Sequence, residues 1–316
     1  MPGTILTIGE ILVEIMATTP GQGFREPLDL VGPFPSGAPA IFIDQAARLG
    51  HPAAIIGCVG NDDFGRLNLD RLRRDGVDVG AVRIDPDAVT GSAFVRYRPD
   101  GGRDFVFNIR HSAAAEIRLT DQARAAIEAA SHLHVVGSSL FSPALVETIL
   151  LAAERVKARG GTVSFDPNMR REILTPAGGD ALSRILALTD LFLPSGDELL
   201  LFAGAADPDA AIRDLLGRGL AAIVHKQGAR GARYIAPHAD IVLPAFPAAE
   251  VDPTGAGDIF GATFVVGWLA GLDPATALRR ANAAGALAVR SRGPMEGASS
   301  PAAIDAVLAA GPPPAA

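Results

Sequence analysis

Cysteine is nearly absent from this chain: Cys58 is the only one in 316 residues, so no internal disulfide can form and no paired Cys/His spacing offers a structural zinc site. A reducing, cytoplasmic setting is the expectation that follows. Basic excess is missing as well. The formal net charge of −7 argues against a general nucleic-acid binder, which would present a basic face to phosphates. Local basic residues must then do any phosphate work. The longest uncharged run, Ile259–Leu272, is broken by glycines and falls short of the about 20 apolar residues that a membrane span needs, so no membrane partner is expected. The N-terminus reaches Glu10 and Glu14 without a basic segment, a long apolar run or a small-residue cleavage site, and export is not expected.

What is present is a core-forming composition, 48% hydrophobic, large enough to bury a substantial interior. Short apolar runs alternate with longer Ala-rich stretches of helical period, which predicts βαβ units on a mostly parallel sheet. Strands are expected at 4–8, 53–57, 133–136, 162–165, 191–193 and 221–224. Helices are expected at 40–49, 64–75, 122–130, 144–159, 181–188 and 198–203, and the final third reads as helical over 257–270, 274–291 and 301–309. The segments 11–34 and 91–112 break the rhythm. Within the second, the stretches 92–97 and 103–108 alternate around Asp100-Gly101-Gly102 like a hairpin. The tail 312–316 reads as frayed, leaving 1–311 as one domain carrying inserted flap strands, with no internal repeat and no linker.

Chemistry concentrates in Asp252-Pro253-Thr254-Gly255-Ala256-Gly257-Asp258, which leads into the apolar segment Ile259–Phe264. Two small-residue flanks let successive backbone N–H groups at a helix start point at an anion. Asp258, where those amides end, stands where it could take a proton from a hydroxyl attacking a phosphorus. A helix-dipole role for the same Asp remains an open reading at this level.

The segment resembles the C-terminal signature of the ribokinase-like (PfkB) carbohydrate kinases, and the likeness extends over nearly the whole chain. It implies a three-layer α/β/α, doubly wound, mostly parallel sheet with a small β-sheet lid. It also implies Asp258 as catalytic base, an anion hole from the amides of Gly255, Ala256 and Gly257, and Asp252 and Thr254 beside the nucleotide phosphates. ATP and Mg²⁺ are implied as cofactors, with a monovalent cation as a further candidate.

Near the N-terminus, Ser36-Gly37-Ala38-Pro39-Ala40, then Gln45–Gly50, then Gly57–Gly65, is similar to the family's other signature in order and spacing, and places Gly37 and Ala38 at the sugar. The family commonly carries Asn where this chain has Ile41. Glu14 falls where relatives bind sugar hydroxyls, a task suited to a carboxylate that accepts two protons at once; a solvent-facing strand-end acid is the structural alternative. Asn108 and Arg110 fall where relatives place lid side chains over the sugar, and lid edges in the family pair between subunits, which implies a homodimer.

The resemblance points to Asn168 and Arg170 in Asp166-Pro167-Asn168-Met169-Arg170, at the carboxyl end of a strand, as facing the phosphates or the substrate, with Asn168 placed at the nucleotide and Arg170 at the sugar; an ordinary Asp-Pro-Asn turn is the alternative. It points also to Ser195 and Glu198 in a segment where the family has Asn-x-x-Glu. There Ser195 replaces Asn, and Glu198 would place magnesium through water. Lys226, Gly228 and Gly231 would line the nucleotide, and Asn282 with the loop Gly293-Pro294 would enclose adenine. The implied activity is phosphoryl transfer from ATP to a ketohexose such as tagatose or fructose. A 2-keto-3-deoxygluconate kinase is the near alternative, with ribose or nucleoside kinases and a sugar sensor without activity further behind.

Overall fold

Strand β1 (Thr4–Ile8) is buried except at its first residue, and β4 (Ala53–Gly60) is buried throughout, as parallel strands covered by helices on both sides must be. The computed structural model describes residues 3–21, 23–99, 102–169, 178–205 and 207–311. It sets these two strands in a nine-stranded sheet. The order is β13 (Ala239–Leu243), β12 (Ala232–Ala236), β11 (Ala222–Lys226), β10 (Leu191–Phe192), β9 (Thr162–Asp166), β8 (Ala130–Val136), β1, β4 and β5 (Val82–Asp85). Pairing is parallel from β5 through β11, and β12 and β13 return as an antiparallel edge.

Alternation along the strands divides the interior in two. Ile5, Ile55, Leu191 and Val224 meet one helix layer, formed by α1 (Ala38–Arg48), α2 (Asp63–Arg74), α8 (Ala256–Leu269), α9 (Pro274–Ala288) and α10 (Pro301–Ala310). Leu6, Ile56, Phe192 and Ile223 meet the other, formed by α3 (Asp121–Ala129), α4 (Pro143–Ala158), α5 (Gly178–Leu188), α6 (Glu198–Leu201) and α7 (Pro208–Gly217). Three layers result, the ribokinase-like architecture. Helix starts follow a local rule: Ser142, Asp207, Asp273 and Ser300 each accept a first-turn N–H, and each precedes a proline at the first helical position, where the missing N–H costs nothing. Helix α8 is apolar almost all round, which fits its place between α1 and α9.

The two segments that break the βα rhythm supply a separate four-stranded sheet, ordered β3 (Leu30–Ser36), β2 (Leu12–Ala17), β6 (Gly91–Tyr97), β7 (Arg103–Asn108). β2 pairs in parallel with β6, and the outer pairs are antiparallel. The helices expected at 257–270, 274–291 and 301–309 are found as α8, α9 and α10, whereas α7 and the β12–β13 edge lie outside the expected elements. Strand β13 alternates half-buried and exposed residues, so it lacks the continuous apolar run that marks the central strands. Asp100, Gly101, Arg170 and the tail 312–316 lie outside the described residues.

Candidate active site

Gly255 caps the start of α8 in the left-handed region, φ 79°. A Cβ there would stand 2.2 Å from the Pro294 carbonyl oxygen, so backbone conformation and close approach both require glycine. The helix begins at once, its first turn offering N–H groups without carbonyl partners from preceding turns. Ala256 N makes a long bond, 3.4 Å, to Pro253 O. Asp258 lies in this first turn, 8% exposed, and accepts a hydrogen bond from Asn168 Nδ2 at 3.2 Å. Asn168 is the one non-glycine residue with positive φ among those described, at 37°, a conformation Asn tolerates; its own N–H donates to Asp166 Oδ1 at 3.2 Å.

Asp252 serves as a brace. Its Oδ1 accepts from Thr254 N and Tyr97 Oη, and its Oδ2 from Gly293 N, each at 3.0 Å. Its carboxylate thereby ties the loop to the β6 strand and to Gly293. Thr254 Oγ1 accepts from Arg103 Nη1 at 2.9 Å.

Beside Asp258 is a hollow of about 50 Å³ lined by Glu10, Glu14, Ser36, Gly37, Ala38, Ile41, Phe105, Phe107, Ser138, Asn168, Thr254 and Gly255. Strand β2 presents Glu14, 3% exposed, which accepts from Ser36 Oγ at 3.1 Å. Glu10, 2% exposed, accepts from Ser138 Oγ at 2.7 Å and Ser139 Oγ at 2.6 Å. Gly37 has φ 109°, and a Cβ there would meet Glu10 O at 2.3 Å. Ile41, one turn into α1, turns an apolar wall to the hollow.

Asn108 and Arg110 do not join this group. They line a neighbouring hollow of about 850 Å³ with Asp62, Thr90 and His111, and Asn108 Nδ2 donates to Ser92 Oγ at 3.2 Å. The reason is strand phase. Arg103, Phe105 and Phe107 share the face of β7 turned to Asp258, and Asn108 falls on the other.

At the carboxyl ends of β9 and β11, buried Lys226 donates to Asp166 Oδ2. Lys226 Nζ lies 3.8 Å from where a Cβ on Gly257 would stand, which joins this ion pair to the anion loop. Glu198 accepts from Met169 N and Ser195 N, both at 2.7 Å. Burial and then the nearby Asp166 raise its pKa, against Lys226 and the two amides. Ser195 thus contributes its backbone to the site. No group of three or more ligating side chains occurs among the described residues. Two acids, Asp166 and Glu198, beside a lysine fit an Mg²⁺ ion held chiefly by phosphate oxygens and water. Gly228 has φ 59° with open space around its Cβ position, whereas a Cβ on Gly231 would strike Leu243 O at 2.1 Å. Asn282 donates to Leu243 O and Pro244 O at 3.3 and 3.1 Å. Gly231 and Asn282 therefore hold the β12–β13 edge in place. Glu10, Ser138, Ser139, Tyr97, Arg103, Phe105 and Phe107 enter the site without having been singled out by motif, and Asp166 enters it from a motif in which only Asn168 and Arg170 were candidates. The one sequence signal for Phe105 and Phe107 is the alternation of their strand.

A buried carboxylate in the first turn of a helix, facing a small polar hollow at the carboxyl end of a parallel sheet, accords with the class to which the comparisons assign the chain, an ATP-dependent carbohydrate kinase of ribokinase-like build. The pfkB family carbohydrate kinase model matches residues 4–301, and the chain belongs to that family. It is 33% identical to 2-dehydro-3-deoxygluconokinase of Thermoproteus tenax, across 97% of this chain and 94% of that protein. It is 33% identical to fructokinase of Klebsiella pneumoniae, across 93% and 96%. Among solved structures, a candidate ribokinase II from E. coli in complex with ATP and Mg²⁺ superposes with a TM-score of 0.92 at 46% identity, covering 98% of this chain and 99% of that one. No helix among the described residues is long and apolar enough to cross a membrane.

Proposed function

We propose that this kinase transfers the γ-phosphoryl group of ATP to a hydroxyl of a neutral ketohexose such as fructose or tagatose. The observation that carries the reading is the character of the hollow beside Asp258. Glu10, Glu14, Ser36 and Ser138 line it. Carboxylates and hydroxyls accept hydrogen bonds from the hydroxyls of a polyol. The fructokinase relative supports the same class. The relative from Thermoproteus tenax supports a sugar acid, 2-keto-3-deoxygluconate, as the second reading.

In the proposed reaction Asn168 orients Asp258, which takes the proton of the attacking hydroxyl as its oxygen bonds to the γ-phosphorus and ADP leaves with the bridging oxygen. Amides at the start of α8 stabilise the charge that gathers on the phosphoryl oxygens. Lys226 would stand on the phosphate side. Asp166 and Glu198 would hold Mg²⁺ through water, and the ion would neutralise charge on the phosphates. Residues 1–311 would act as one cytoplasmic kinase domain. A homodimer through the lid is supported by Leu30 and Val106, apolar lid residues 44% and 50% exposed; molar mass in solution tests it.

The deciding experiment is ADP release from Mg-ATP with fructose, tagatose, 2-keto-3-deoxygluconate, ribose and adenosine. Strong turnover on a ketohexose is expected, with Asp258→Asn lowering kcat by roughly 10²- to 10⁴-fold while ATP binding persists. Near-normal turnover in that variant would remove Asp258 as base, and preference for the sugar acid over every neutral ketose would overturn the substrate assignment.

A further inference from the structure

Two lid side chains reach across to the anion loop. Tyr97, the last residue of β6, donates to Asp252 Oδ1 at 3.0 Å, and Arg103, the first of β7, donates to Thr254 Oγ1 at 2.9 Å. The two are directly paired in the β6–β7 ladder, so their side chains leave the hairpin on one face. Asp104, next in sequence, leaves on the opposite face. There it pairs with Arg96 at 2.8 Å and Arg98 at 3.0 Å, which fixes the hairpin end from behind.

The receiving groups matter equally. Asp252 is 1% exposed and also holds the Thr254 and Gly293 amides. Thr254 immediately precedes the left-handed Gly255 from which α8 starts. A shift of either residue would re-aim the amides at the head of that helix. On β7, period two puts Phe105 and Phe107 on the same face as Arg103; their rings stack with centroids 5.1 Å apart, and both line the sugar hollow. One strand face thus touches the sugar hollow and the anion loop together.

We propose that Tyr97 and Arg103 are positioning residues through which closure of the lid over a sugar aligns the 252–258 loop for phosphoryl transfer; the inference rests on the kinase reading above. A sugar packed under Phe105 and Phe107 fixes β7 against the core. Arg103 and Tyr97 then fix Thr254 and Asp252, and the amides of the loop are held in one arrangement. Neither side chain acts on the reacting atoms, so the effect falls on how often the pocket is correctly formed once both substrates are bound.

The test compares the full-length wild type with Arg103→Ala, Arg103→Lys and Tyr97→Phe, measuring kcat, KM for sugar, ATP affinity without sugar, and Tm. Arg103→Ala is expected to lower kcat about 10- to 100-fold and Tyr97→Phe about 3- to 10-fold, the scale of a displaced reacting geometry. Sugar-free ATP affinity should stay within about threefold, as expected when only the closed state is affected. Arg103→Lys should recover part of the lost kcat, because a cation and a donor remain. If Arg103→Ala and Tyr97→Phe both keep kcat within about twofold, or if kcat falls only in step with Tm and Arg103→Lys restores nothing, the latch is refuted. A wild type silent on every sugar would instead refute the substrate reading on which it rests.

Discussion

Gly255 and Gly257 flank one alanine in one motif, yet they should respond oppositely to a methyl group. At Gly255 the φ of 79° alone costs an L-residue about 1–2 kcal/mol, and the added Cβ would stand 2.2 Å from Pro294 O, a backbone atom that can yield only if the 291–297 loop moves. A total of about 2–4 kcal/mol is expected for Gly255→Ala, on the order of 3–6 °C in Tm for a chain of this size. Displacing Pro294 also disturbs the Gly293 amide held by Asp252, so kcat should fall by about 10-fold or more. Gly257 lies inside α8, and the nearest atom to its added Cβ is Lys226 Nζ at 3.8 Å, an ordinary contact with a flexible side-chain end. Gly257→Ala should leave Tm unchanged or raise it slightly, since alanine gains up to about 1 kcal/mol over glycine within a helix. Its cost should appear in kcat and ATP affinity, because the methyl group enters the anion pocket. Thermal melts followed by steady-state kinetics on both variants decide the matter. Equal Tm losses at the two positions, or an unperturbed Gly255→Ala, would refute this division of roles.

Two further perturbations test the buried charges. Lys226→Met strands Asp166, 2% exposed, and should destabilise by about 2–4 kcal/mol; denaturant melts with an unchanged midpoint would contradict it. Asp44 is wholly buried against Arg71 at 3.1 Å, and burial outweighs that guanidinium to raise its carboxyl to about 7. Burial works against Asp75 too, but the hydrogen bond from Asp44 and the charge of Arg71 hold it below the usual range. The folded chain therefore keeps a proton that the unfolded chain releases near about pH 4. Stability from this group is present below that pH and is lost as pH rises toward 7. Asp44→Asn, which keeps a donor toward Asp75, should flatten the decline in unfolding free energy between pH 5 and 7.5; a slope equal to that of wild type would refute the assignment.

A central strand such as β4 could be read from the sequence because burial on both faces leaves an unbroken apolar run, and most helices because their Ala-rich stretches keep a helical period; α7 was missed although Asp207 and Pro208 mark its start. β12 and β13 could not be read, because an edge hairpin with one wet face carries a weaker pattern. In the site, the glycine cradle and Asp258 were legible since local backbone demands and chemistry coincide in one short segment. Glu10, Ser138 and Ser139 were not, as each is a lone polar residue whose partner lies more than a hundred positions away. Asn108 shows a third kind of limit. The alternation of β7 was visible, but only the packed lid decides which half of it looks inward.

The parallel pairing of β2 with β6 has a consequence for how this enzyme is made and remade. Strand β4, helix α2 and strand β5 lie between those two strands in sequence, so the lid cannot form from local hairpins alone and must close a long loop, a step that favours late assembly. For the same reason the lid is not one removable cassette. Exchanging it between relatives requires two simultaneous grafts, 12–36 and 91–108, and a chimera carrying only the second would join a foreign strand edge to the native β2.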